Sequence, residues 1–206
     1  ARNAGVYGGP FRARYAARMG HDRPLRDRIT AERTLYEGRA FDFLELTLTH
    51  PDGSTRSRPI VRHRGAAMLL PLIEQPGRSP KVAFVRNERH TIIGRLLELP
   101  AGGIDAGESP EGAAARELRE ETGYEAAALY PLATFYTTPG ITDERMHAYV
   151  ATGLTSVGQA LEDYEALEVE VLSSSEVAGM IDSGGFQDGK TILALLAAAR
   201  QGLIEL

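Results

Sequence analysis

The chain has 206 residues, 43% of them hydrophobic and 25% charged, with a formal net charge of −5. That length supports one sizeable core with room for a small added subdomain, and the balance is that of an ordinary globular protein. Cysteine is absent, which excludes disulfides, thiol catalysis and cysteine-based zinc sites, and no apolar run approaches the roughly 20 residues that cross a bilayer.

Residues 1–28 hold seven arginines and two aspartates, a net +5 that leaves −10 on the remainder. This leader lacks serine and any amphipathic period, so residues 1–29 read as an Arg-rich arm docking on a partner subunit, not as a transit peptide. The acidic bulk argues against nucleic acid as a partner. No membrane partner is expected, and the lack of cysteine is compatible with a reducing, cytoplasmic setting. Next comes FDFLELTLTHPDGSTRSRPIVRH, with Phe43, Leu44, Leu46 and Leu48 near period two and a turn at HPDGS. Residues 30–63 are therefore expected to form a small antiparallel sheet, too poor in apolar surface to stand alone.

The main domain is placed at residues 64–206. AAMLLPLI and KVAFVRN read as short buried strands separated by EQPGRSP, and LLELP leads into a glycine-rich loop. The loop's glycines read as turn formers that let backbone approach a ligand; their spacing is not that of a dinucleotide fingerprint. A helix follows: Ser109 suits the N-cap, Pro110 the first helical position, Glu111 the positive dipole end, and Gly123 the stop. YPLATFYTT, MHAYVATGL and LEVEVL read as further strands, and SSSEVAGMIDSG and DGKTILALLAAARQG as two closing helices. Strands mixed with segregated helices fit an α/β fold, a three-layer α/β/α sandwich with a mixed sheet.

On the first helix, at about 100° per residue, Glu117, Glu120 and Glu121 fall within an arc of about 100° on one side. Like charges so spaced repel by about 0.2–0.5 kcal/mol per pair. Such a cluster is either a solvated acidic face or a bed of hard oxygen ligands for Mg²⁺ or Mn²⁺. The five histidines show no metal spacing and read as structural or surface groups.

The spacing from Gly102 through Glu108, Arg116-Glu117-Leu118 and Glu120-Glu121 to Gly123-Tyr124 matches G-x5-E-x7-R-E-U-x-E-E-x-G-U at every fixed position. The chain thus resembles the Nudix hydrolases, which cleave a nucleoside diphosphate linked to another moiety. The resemblance implies Glu117, Glu120 and Glu121 as metal ligands, with the Ala101 carbonyl a further one. Glu121 also counts among the catalytic residues. Arg116 and Glu108 are expected to hold the loop against the helix. Glu98 is a further ligand, a support for one, a substrate contact, or the polar face of a strand.

Pro139, fifteen residues beyond the box in YTTPGITDERMHAYVA, and the stretch DGKTILALL resemble the ADP-ribose pyrophosphatases and their GDP-mannose-hydrolysing relatives. That likeness implies a homodimer through the small N-terminal β-subdomain, with Arg58 or Arg56 reaching the partner's nucleotide pocket, and Arg89 as a substrate contact. It also places a catalytic glutamate, here Glu144, on a loop after Pro139. Asp143 is its rival by adjacency, and the acidic run from Glu162 to Glu170, including Glu165, is another. The segment VRNERHTIIGRLLELP departs from the family's usual glutamine followed by an aromatic-arginine pair. The expected activity is hydrolysis of ADP-ribose to AMP and ribose 5-phosphate. The alternatives are another nucleoside diphosphate sugar such as GDP-mannose, or a nucleotide-sensing module without catalysis. Such a module would be expected to lose ligand carboxylates, and every box position is intact.

Overall fold

The computed structural model describes residues 28–161 and 167–206. The arginine-rich leader up to residue 27 and the part of the acidic run that contains Glu165 lie outside the described residues. The chain divides into two compact units, one running up to Arg64 and including Tyr136–Glu144, the other made of Gly65–Phe135 and Arg145–Leu206.

The first unit is built on an antiparallel sheet of β1 (Ile29–Glu37), β2 (Phe41–Thr49) and β3 (Thr55–His63), in that order. Period-two alternation on β2 buries Leu44 and Leu46. Phe43 faces the other way, pairs with Tyr36, and is exposed with it and with Phe41. The segment after Tyr136 is laced to β3. Val61 N–H donates to Ile141 O at 2.9 Å, Asp143 N–H donates to Val61 O at 3.3 Å, and Val61 bridges Thr142 in parallel fashion. This loop, expected in the main domain, thus belongs with the small sheet.

The second unit carries a mixed sheet. Along its main path the order is β10 (Glu168–Leu172), β5 (Arg78–Arg89), β4 (Ala66–Gln75), β9 (Arg145–Ser156), β8 (Tyr124–Tyr136). β6 (Gly94–Glu98) pairs with β5, and β7 (Ala101–Gly103) pairs with β4. β4 and β9 run parallel, and the other registered pairs are antiparallel. β4 is buried along most of its length, as a central strand covered on both faces must be.

Helix α1 (Pro110–Glu117) seats Ala113 and Ala114 on the sheet face formed by Ala67, Leu69, Tyr149 and Ala151. Its small side chains allow that close approach. The opposite face carries Phe84, whose ring centroid lies 5.2 Å from that of Phe186 with the two rings tilted by 34°; Phe186 lies between α2 (Ser174–Ser183) and α3 (Gly189–Arg200). The result is the expected α/β/α sandwich. No helix of the described residues is long and apolar enough to cross a membrane.

Two local expectations change. The helix begins as read, with Ser109 Oγ accepting from Gly112 N–H and Pro110 in the first turn. After Glu117, however, Leu118–Thr122 form a π-helical turn before Gly123 stops it at φ +71°. A wider turn of this kind is frequent at functional sites and shifts the angular positions of Glu120 and Glu121 from those of a regular helix. Gly102 and Gly103, read as turn formers, lie instead in the extended strand β7.

Candidate functional site

The box residues gather around the junction of β7 with the π-helical turn. Glu117 and Glu121 are almost wholly buried, at 8% and 4% exposure. Ala101 N–H donates to Glu121 Oε2 at 2.9 Å, fixing the β7 backbone to the turn. Gly102 lies so close to Glu117 that a β-carbon on it would sit 2.0 Å from Oε1. Backbone and carboxylate therefore fill one space, and that proximity explains a glycine whose φ is unremarkable.

Arg116 is the cationic hub. Its guanidinium donates to both carboxylate oxygens of Glu108 at 3.1 Å, to Gly103 O at 2.8 Å, to Glu117 Oε1 at 2.6 Å and to Glu120 Oε2 at 3.1 Å. The hydrogen bond to Glu108 is the main reason the Arg116 pKa is raised, and the same bond holds the Glu108 carboxyl below the usual range. The repulsion within the glutamate cluster is thus relieved by a guanidinium that also ties the loop to the helix.

Three carboxylates on adjoining helical turns, two of them buried, are the hard-oxygen chemistry that a divalent cation takes. Among the described residues no three acidic or histidine side chains converge as a finished cation cage. Glu117 and Glu120 are turned to Arg116, so holding a cation requires them to exchange the guanidinium for it. The donor set fits such an ion on those terms.

A second cluster lies at the end of β6. Glu98 is 1% exposed, which removes the reading of it as the polar face of a strand. Arg89 grips it bidentately, Nε to Oε1 at 2.7 Å and Nη2 to Oε2 at 2.6 Å. Lys190 Nζ donates to Glu98 Oε2 at 2.5 Å and to Asp188 Oδ2 at 2.9 Å. Burial alone would push the Glu98 carboxyl up; the pairing with Arg89 and Lys190 outweighs it, and the net shift is downward. Asp188 also caps α3, accepting from Thr191 N–H at 3.0 Å. The fully buried Thr191 hydroxyl accepts from Leu99 N–H at 2.9 Å. The segment from Leu99 to Ala101 is therefore held by α3 at one end and by Glu121 at the other.

Residues 62–195 match the family model described as NUDIX domain. The chain belongs to the Nudix family. It is 31% identical over 173 residues to a Bacillus subtilis (strain 168) protein named ADP-ribose pyrophosphatase, spanning 83% of this chain and 91% of that one. It is 34% identical over 163 residues to a Bacillus methanolicus protein named Methanol dehydrogenase activator, spanning 78% and 86% respectively. The crystal structure of an ADP compounds hydrolase superposes with a TM-score of 0.71 at 23% identity, covering 85% of this chain and 96% of that one. At that identity the likeness speaks for the fold alone.

The remaining candidates of this Nudix chain lie in the first unit. Arg58 and Arg56 stand on exposed β3, opposite Leu46 and Leu48 of β2. Pro139 is exposed on the loop laced to β3. Asp143 Oδ1 accepts from His63 N–H at 2.7 Å, and Oδ2 lies 3.5 Å from Arg62 Nε. Glu144 accepts from the Thr137 hydroxyl, and His63 Nε2 stands 3.9 Å from its Oε1.

Sequence reasoning missed the roles of Lys190, Asp188 and Thr191, having taken DGKT as a helix start and a mark of family likeness without assigning its side chains any contact. It also missed Gln159, whose side-chain amide donates to Glu121 O at 2.7 Å and so helps end the π-helical turn. A lysine just inside a capped helix start was the one available signal, since cations are disfavoured at that end.

Proposed function

We propose that this protein hydrolyses the pyrophosphate bond of ADP-ribose, giving AMP and ribose 5-phosphate, with Mg²⁺ as the working cation and Mn²⁺ able to replace it. The observation that carries the reading is the complete box, with Glu117 and Glu121 buried against the Ala101–Gly102 backbone. A relative named ADP-ribose pyrophosphatase, matched over most of both chains, supports the choice of substrate.

Glu117, Glu120, Glu121 and the Ala101 carbonyl would hold the cation. When bound, it supplies charge neutralisation at the bridging phosphates and a coordinated water of lowered pKa. The chain's own groups do the rest. Arg89 binds a phosphate oxygen, and Glu98 holds its guanidinium in place before the substrate arrives. Glu144 accepts the proton of the attacking water as its oxygen joins phosphorus and the bridging P–O bond breaks. The loop carrying Pro139 borders the substrate.

The small sheet, residues 30–63, serves dimerisation in this reading, and Arg58 reaches the partner's nucleotide. Exposed Tyr36, Phe41 and Phe43 on one sheet face support a covered surface. A cytoplasmic setting suits a nucleotide substrate. Light scattering at micromolar concentration should give twice the chain mass, and a fully active monomer would overturn the assembly.

The substrate is tested by incubating the purified chain with Mg²⁺ and ADP-ribose, GDP-mannose, NADH or an 8-oxo-nucleotide, then separating products by chromatography. The expected result is AMP plus ribose 5-phosphate from ADP-ribose at the highest kcat/KM. Preference for GDP-mannose overturns the base and sugar assignment, and absence of turnover on all four overturns the enzymatic reading.

A further inference from the structure

We propose that Lys190 is a positioning residue that acts through Arg89: it is the standing counter-ion of Glu98, and its presence lets Arg89 leave that carboxylate for an anionic phosphate. The inference rests on the reading of this region as a pyrophosphate-binding site.

Glu98 has more cationic charge around it than its own ionisation requires. The bidentate Arg89 already donates to both carboxylate oxygens, at 2.7 and 2.6 Å. Lys190 is nonetheless brought in at 2.5 Å, with its side chain only 14% exposed. Enclosing an ammonium group is costly unless it is paired, and Asp188 at 2.9 Å is the second carboxylate that neutralises it.

The lysine is not needed to fasten the helix to the sheet. Thr191 does so through its bond to Leu99 N–H, at 2.9 Å.

The two cations differ in freedom. The Arg89 side chain is 40% exposed and lines an open cleft of about 340 Å³, beside Glu88, His90, Ile93 and Arg95, with Arg95 Nε 3.9 Å from the Glu88 carboxylate. Lys190 is enclosed. An anion entering the cleft meets Arg89, whose planar fork suits phosphate oxygens.

Were Arg89 the sole partner of Glu98, its departure would strand a buried carboxylate, which is strongly unfavourable. Lys190 keeps Glu98 paired throughout the exchange. Its role is therefore felt in anion affinity, and only through Arg89.

The test uses inorganic pyrophosphate, titrated calorimetrically into the full chain without metal. Four proteins are compared: wild type, Lys190→Met, Arg89→Ala and the double variant. Lys190→Met is expected to weaken binding about tenfold, Arg89→Ala at least as much, and the double variant no more than Arg89→Ala. Lys190→Arg should restore affinity to within about threefold of wild type. Unchanged affinity in Lys190→Met overturns the proposal, and so do single losses that multiply in the double variant, which would mean that Lys190 touches the anion itself. A lysine that merely staples α3 would lower the melting temperature and leave affinity alone.

Should Lys190→Met not fold, the wild type still decides. Its Arg89 Nε–H signal, identified by its loss in Arg89→Ala, must shift on saturation with pyrophosphate, and an unmoved signal or absence of pyrophosphate binding overturns the proposal. Failure to hydrolyse ADP-ribose would overturn the functional reading alone, since pyrophosphate binding is read without turnover.

Discussion

Gly102 and Glu117 share a space that admits only one of a side chain and a carboxylate. A β-carbon on Gly102 would come within 2.0 Å of Glu117 Oε1 and 2.2 Å of Cδ. The strand that carries Ala101 is pressed directly onto the turn that carries the glutamates, and Ala101 N–H bonds Glu121 on the other side.

Gly102→Ala should therefore displace Glu117 while leaving backbone conformation allowed. Overpacking of this kind costs about 1–3 kcal/mol, and a carboxylate moved from a preorganised electrostatic site should lower kcat by about a hundredfold. Thermal unfolding and steady-state kinetics check both. Wild-type kcat in Gly102→Ala would remove Glu117 from the site.

Glu121→Gln keeps an oxygen to accept from Ala101 N–H, and Glu120→Gln keeps shape and helix propensity. Each variant should retain its circular dichroism spectrum and lose at least about a hundredfold in kcat. EDTA should abolish wild-type turnover, and Mg²⁺ or Mn²⁺ should restore it. Near-normal turnover of either variant in EDTA would sink the metal assignment.

Stability should fall in acid partly through Glu98. Its folded pKa lies below the unfolded value because Arg89 and Lys190 outweigh burial. The stabilisation is thus present above the ordinary glutamate pKa of about 4.3 and is lost as pH falls through the lower folded value. Melting temperatures measured from neutral to acid pH should show a shallower decline in Glu98→Gln than in wild type. Parallel curves would mean that the pairing contributes nothing to pH-dependent stability.

Ile93 sits at the β5–β6 turn with φ +52° and 95% exposure, a left-handed conformation that costs a β-branched residue about 1–2 kcal/mol. Since almost no packing is lost there, Ile93→Asn should raise the unfolding free energy by about 1 kcal/mol. Denaturant titration reads the sign directly, and a destabilised variant would show that the exposed side chain makes a contact of value.

Much of this architecture is written in local signals. Ser109, Pro110 and Gly123 bound the helix because each acts within one turn, and the burial of Leu44 and Leu46 follows from alternation on β2. The box itself is a spacing within 23 residues. What escaped has longer reach. Lys190 meets Glu98 across 92 positions, and Asp143 meets His63 N–H across 80. Neither pairing leaves a periodic trace in the chain. The π-helical turn escaped for another reason: Leu118–Thr122 suits a regular helix by propensity, and the departure goes with tertiary bonds such as those from Gln159 and Ala160 to the carbonyls of Glu121 and Glu120.

The proton acceptor is the sharpest open choice, and Asp143 and Glu144 are adjacent yet differently engaged. Asp143 spends its carboxylate on His63 N–H at 2.7 Å and lies 3.5 Å from Arg62, which holds the loop to β3. Glu144 accepts from the Thr137 hydroxyl and stands 3.9 Å from His63, partners that orient a carboxylate without consuming it in a tight ion pair. Glu144→Gln should lower kcat by about a hundredfold, within the range for general base catalysis. KM and metal affinity should stay near wild type, because the interaction is made mainly in the transition state. Asp143→Asn, which keeps an acceptor for His63 N–H, should cost less than tenfold. If kcat of Glu144→Gln stays within about threefold of wild type, Glu144 is not the base, and Glu165→Gln should then show the large loss instead.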